Sequence, residues 1–497
     1  MQWYQKGSYA VGHVYNDVCA SMWFTFLLIF YEQVIGFTEV ASANLLLIGQ
    51  IVDGIATPAV GYLSDRSNGF FCYSKRKSWH LLGTVLVTCS FPLVFHGILF
   101  KNTEPGSVAA FMNYVPWICL FQIGWATVQI NHLSLIPELA DSDEGKNTLN
   151  SLRFGFLIAS NIFVYIVLGL LLNQSSGENS NLSSDDLATF ENMALIVCGT
   201  GLLFTGIFHI GVREKNTKTQ ETMSVNNEAF NSEIDTGGAK PVKKRDLTAT
   251  DWLKRKDLYA IAVAYMCARM VQNCLMVFSP VFTTYTLSSL SKEWIAILPL
   301  VQYLAGFPAT IGVKFISKYG TKYAYFAGVF ITIIGNIWVI FLSDESIWQV
   351  ILVFVIFGLG ANALVCSSLA LISEYIGENT GAAGFVFGFM SLCDKVVNGV
   401  GVVMIENFGP ACSFNNYDNS TMEEVEKCGE IVMDGDGYFK EDYYRDFMSY
   451  GIAVIGLVGC LGLVVYGFVE VDSEEFLEAR DKKIQAEKVG QENKALE

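Results

Sequence analysis

The chain has 497 residues, of which 52% are hydrophobic and 16% charged, with a formal net charge of −16. A soluble protein of this length needs more charge to cover its surface, so the soluble globular class is excluded. The acids fall mostly in loops and the tail, as at Asp434 to Asp446 and Asp472 to Glu478, where they read as solvated surface rather than as a nucleic-acid partner's complement.

The first apolar stretch runs from Tyr9 to Ile35, longer than the core of a cleavable signal peptide, and reads as a spanning helix that stays in the protein. A spanning helix needs about 20 apolar residues. Hydropathy predicts twelve, at 10–35, 39–63, 79–100, 112–137, 150–172, 191–211, 257–287, 294–316, 323–342, 349–374, 381–405 and 447–470. The polar stretch 212–256 divides them six and six, giving an N-terminal half (1–211), a linker (212–256), a C-terminal half (257–470) and a tail (471–497). The expected fold is an all-α integral membrane protein of two pseudo-symmetric six-helix halves. Gly377 to Gly388 reads as a stretch that lets helices pack closely.

Orientation follows from Lys and Arg. With both termini and the linker cytosolic, 25 of the 32 basic residues lie on the cytosolic side and 5 opposite, a strong positive-inside bias. The sequons at Asn173, Asn181 and Asn419 then fall on the non-cytosolic side, where glycosylation occurs. The twelve cysteines show no metal spacing. Cys412 and Cys428 share one hydrophilic loop and could pair if it faces an oxidising compartment. No nucleophile–base spacing, phosphate loop or metal cluster points to an enzyme.

Between helices 2 and 3 the chain reads Gly61 to Asp65-Arg66, then Lys75 to Lys77. An Asp at a helix end can pair with loop cations and latch neighbouring helices, so Asp65 and Arg66 are the candidate latch. The equivalent place between helices 8 and 9 has Ser317 in place of the Asp.

A charge at a helix centre costs ~2.5–3.5 kcal/mol on insertion scales, so such residues face a cavity or a partner. Asp17 (helix 1), Asp53 (helix 2), Arg153 (helix 5), Arg269 (helix 7) and the adjacent Asp394 and Lys395 (helix 11) are the candidates. Gln129, Asn131, His132, Gln272, Asn273 and Asn398 are polar neighbours. Such a set points to a central site for a substrate and a coupling ion. A receptor or scaffold gains nothing from it.

With these residues in view, the chain resembles the glycoside–pentoside–hexuronide cation symporter branch of the major facilitator superfamily. The resemblance implies that Asp17 and Arg153 contact substrate and that Lys395 and Asp53 lie at the cation site. Thr57 stands where the branch keeps a second helix 2 Asp, and Gln129 where it keeps a helix 4 Asp. These departures make protons the expected coupling ion over sodium and leave a sugar as the alternative substrate. The runs Tyr9 to Phe24, Gly124 to Leu139 and Ser391 to Gly399 look closer still to animal members of the superfamily. That likeness implies a lysosomal and melanosomal importer of cysteine; a monomer is expected. For a zwitterion, Arg153 or Arg269 would take the carboxylate and Asp17 the ammonium, while Asp53, Lys395 and Asp394 form the coupling group.

Overall fold

A computed structural model describes residues 2–67, 69, 73–97, 107–140, 142–175, 181–213, 249–343, 346–377, 383–409 and 439–468. Among the described residues there are twelve long helices: α1 Trp3–Ile35, α2 Glu39–Arg66, α3 Lys75–Val94, α4 Val108–Leu139, α5 Asp143–Gln174, α6 Leu187–Gly211, α7 Lys256–Tyr285, α8 Trp294–Ile316, α9 Thr321–Ile340, α10 Ile347–Ile376, α11 Ala383–Phe408 and α12 Lys440–Phe468. Eleven are long and apolar enough to cross a membrane. The exception is α3, which opens on Lys75-Arg76-Lys77. Its cations are not simply solvated. Lys77 donates to the carbonyls of His209 and Val212 at 2.9 and 2.8 Å, satisfying the C-terminal end of α6. Hence α3 begins four residues before hydropathy alone places it.

Alternation of the helices defines two faces. One carries the start of α1, the end of α6 and the start of α7 and is termed the linker face; the other is the opposite face. Most of the linker, Asn419, Cys412, Cys428 and the tail lie outside the described residues. Asn173 is exposed in the last turn of α5, and Asn181 is exposed before α6.

The halves repeat at the level of packing. A methyl group on Gly83 of α3 would sit 2.8 Å from the Gly124 carbonyl of α4, and one on Gly328 of α9 would sit 3.2 Å from the Gly360 carbonyl of α10. Paired glycines thus let backbones meet at the same crossing in each half. The close approaches therefore lie there. Gly377 instead ends α10 at φ 52, and Gly388 has open space around it.

The linker face repeats as well. Arg76, at the start of α3, donates to Glu138, at the end of α4, at 3.2 Å. Thr321, at the start of α9, hydrogen-bonds Glu374, at the end of α10. Arg76 also donates to Asp65 at 2.6 Å, so the latch joins α2, α3 and α4. Arg66 takes no part in that bond; its guanidinium lies over the Tyr62 ring, 4.2 Å from the centroid.

Candidate functional site

Helix α1 is irregular where it carries the site. A 3-10 turn at Val11–His13 interrupts it. That turn frees carbonyls, and histidines of neighbouring helices take them: His132 donates to the Tyr9 carbonyl at 2.8 Å and His80 to the Gly12 carbonyl at 3.0 Å. A nitrogen facing a carbonyl must carry its proton, so Nδ1 of His80 is the acceptor in a neutral ring. It then receives His209 Nε2 at 3.1 Å, whose Nδ1 receives Tyr73 at 2.7 Å. The ring of His13 lies 5.4 Å from that of His132.

Four of the five histidines therefore gather on the linker side of the N-terminal half. Sequence inspection marks only His132. His80 and His209 sit on separate helices with no shared motif, so only folding reveals them as neighbours.

Asp17 is 3% exposed and has His13 Nδ1 at 2.7 Å on Oδ1; its Oδ2 is buried without a partner. Its charge acts on Tyr303 of α8, whose hydroxyl accepts from Asn161 of α5 at 3.2 Å. Arg153 lies well inside α5, because that helix starts at Asp143 rather than near 150. Its Nε is buried without a partner, and its charge acts on Tyr9 and His132. Asp17 and Arg153 thus flank the His13–His132 pair, one anionic and one cationic.

The remaining mid-depth charges neutralise one another. Lys395 Nζ lies 2.6 Å from Asp53 Oδ2 and 3.3 Å from the Thr57 hydroxyl, which itself donates to Asp53 at 3.1 Å. Thr57 therefore completes a three-residue bridge between α2 and α11. Arg269 is 3.0 Å from Asp394, with a third of its side chain exposed, and Asn398 holds the other Asp394 oxygen. Adjacent residues on a helix point about 100° apart. Asp394 accordingly serves α7 within its own half, and Lys395 reaches α2 in the other.

Arg269 is thus engaged by Asp394. Gln129 is half-buried and accepts from Trp125, its own helical neighbour, at 2.7 Å. Gln272 lines a small polar cleft between the halves with Tyr165, Gln302, Tyr303 and Asn362, and its Oε1 is unpartnered.

A family model described as MFS/sugar transport protein matches residues 8–427. The chain is 37% identical over 418 residues to human major facilitator superfamily domain-containing protein 12, covering 82% of this chain and 85% of the relative. The mouse protein of the same name is 38% identical over 415 residues, with the same coverage. The solved inward-open xylose transporter of E. coli superposes with a TM-score of 0.57 at 16% identity, covering 93% of this chain and 94% of that one. That likeness concerns the fold. Two six-helix halves around a charged interface, and a family match over most of the length, lead to one conclusion: the chain belongs to the MFS/sugar transport protein family of the major facilitator superfamily and is a multi-pass secondary transporter of small solutes, not an enzyme.

Proposed function

We propose that this transporter carries a small zwitterionic amino acid, cysteine, by alternating access, with the linker face in the cytosol and the opposite face toward the lumen of lysosomes or melanosomes. One observation carries the zwitterion. Of the mid-depth charges first identified, Asp53, Lys395, Arg269 and Asp394 are spent on each other, whereas Asp17 and Arg153 each keep a buried polar atom without a partner. An acid with one oxygen still open and a guanidinium with an unpartnered nitrogen suit a solute with one ammonium and one carboxylate. Leaving such atoms unpaired costs about 1–3 kcal/mol each, which a bound zwitterion offsets. The choice of cysteine among zwitterions comes from the resemblance of Tyr9 to Phe24 and the two companion runs.

The Asp53–Lys395 bridge is the coupling element of this reading. A proton on Asp53 removes the charge that holds Lys395 and loosens the tie between α2 and α11. Pro58 removes a backbone hydrogen bond one turn further along α2, which leaves that helix pliable there.

The test is uptake of labelled cysteine into lysosome-enriched vesicles from cells with and without the protein. The reading requires uptake to fall when the protein is removed. Unchanged uptake contradicts it, and competition by sugars at the cysteine site would favour a sugar–cation symporter instead.

A further inference from the structure

The opposite face holds buried acids that the substrate reading leaves unused. Glu32 lies in the π-helical last turn of α1, Phe30–Ile35. It is 7% exposed, and neither carboxyl oxygen has a hydrogen-bond partner. Glu406, near the end of α11, is 3% exposed; Tyr444 donates to its Oε2 at 2.9 Å, and its Oε1 has no partner. The two carboxyl groups come from different halves and lie in each other's field.

The surrounding charges are already committed. Lys440 of α12 is bonded to Glu39 of α2 across the halves, with its ammonium 5.1 Å from the Tyr285 ring. Asp186, on the short turn packed against Phe30–Ile35, has Lys292 at 2.7 Å, and Glu191 of α6 has His96 at 2.7 Å. Tyr285 and Tyr444 stack 5.4 Å apart beside the two acids, and Tyr285 accepts from Gln33 at 2.6 Å. Tyr443 feels the Glu406 charge but donates its hydroxyl hydrogen to the Ile405 carbonyl.

A buried carboxylate with no cation of its own is costly enough that it takes up a proton instead, and two buried carboxyl groups that feel each other's charge titrate as one unit. Among the described residues no group of three or more His, Cys, Asp or Glu is placed to hold a metal ion, so the ligand that fits is a proton. We propose that Glu32 and Glu406 form a proton-binding site that holds the two halves together at the opposite face. Loss of the proton sets two negative charges against each other and opens that face. The same end of α12 contains a second π-turn, Phe447–Gly451; such turns mark places where a helix is commonly interrupted for function. This site is separate from the Asp53–Lys395 bridge. The proposal rests on alternating access and is independent of whether cysteine is the substrate.

Infrared difference spectroscopy of the full chain reconstituted in lipid, recorded between pH 5 and pH 9, tests it without any substrate. The expected result is a protonated-carboxyl carbonyl band that titrates in the unaltered protein, moves to lower pH in Glu32→Gln and in Glu406→Gln, each of which leaves one buried carboxyl without its like-charged neighbour, and is lost in the double variant. Tyr444→Phe removes a hydrogen bond that favours the ionised form, so it should keep the band and move its midpoint to higher pH. Glu32→Asp retains a carboxyl group and should retain a titrating band, which separates loss of the proton site from loss of the fold. A band that persists in the double Gln variant, or whose midpoint is unmoved by either single Gln variant and by Tyr444→Phe, overturns the proposal.

Discussion

The two halves handle buried charge in opposite ways. In the C-terminal half Arg269 and Asp394 close on each other at 3.0 Å, with Asn398 holding the second oxygen. In the N-terminal half Asp17 and Arg153 stop short of any such closure, each flanking the His13–His132 pair with a polar atom to spare. Lys395 belongs by sequence to the closed half but spends its charge on the open one. On the proposed reading the difference separates roles: a self-satisfied pair holds helices in place, an unsatisfied pair waits for a ligand, and a pair shared across the interface changes when the halves move.

Breaking the shared pair should have the largest effect. Asp53→Asn removes the charge that tethers Lys395 and should abolish concentrative uptake while leaving a folded protein; accumulation ratios in proteoliposomes with an imposed proton gradient measure this. Transport at the unaltered rate in that variant would remove Asp53 from the coupling step.

Breaking the open pair comes next. Asp17→Asn or Arg153→Gln each deletes one pole of a desolvated charge contact, worth about 3 kcal/mol, or roughly 100-fold in apparent affinity. Substrate-dependent thermal shift should fall accordingly, with little change in the unliganded melting temperature.

The closed pair should respond in stability instead. Arg269→Leu strands Asp394, and because Arg269 is partly exposed the cost is discounted to about 2 kcal/mol. Adding Asp394→Leu should recover most of it, and thermal unfolding of the single and double variants compares them directly. A single variant as stable as the parent would mean that the pair holds nothing.

Two smaller changes probe the scaffold common to both halves. Gly83→Ala forces a methyl group to within 2.8 Å of the Gly124 carbonyl and should cost about 2 kcal/mol. Arg76→Gln should cost about 1 kcal/mol, since Asp65 is largely exposed although Arg76 is mostly covered. Denaturant or thermal unfolding in one detergent ranks them, and the reverse order would misplace the helix contacts.

Much of this was legible before folding. Twelve apolar runs and a central polar stretch are enough for the architecture, because a membrane permits little else for such segments. Each charge within a span signals a site because it is costly there. What could not be read was partnership. Arg269 and Arg153 look alike as candidates for a substrate carboxylate until Asp394 is seen to occupy the first. Glu32 and Glu406 lie near helix ends, where acids in sequence read as interfacial; only the meeting of α1, α11 and α12 buries them. His80 and His209 are similarly silent until α3 and α6 lie side by side. The start of α3 was obscured because Lys77 is satisfied by the end of α6, a contact 132 and 135 residues away in the chain.

The central claim is that Asp17 and Arg153 read the two poles of a zwitterion. Its most direct test is binding of cysteine, of cysteamine, which lacks the carboxylate, and of 3-mercaptopropionate, which lacks the ammonium, to the unaltered protein and to Asp17→Asn and Arg153→Gln. The account predicts that losing the ammonium weakens binding to the unaltered protein but costs nothing further in Asp17→Asn, and that losing the carboxylate costs nothing further in Arg153→Gln. Equal losses in the parent and in both variants would contradict it.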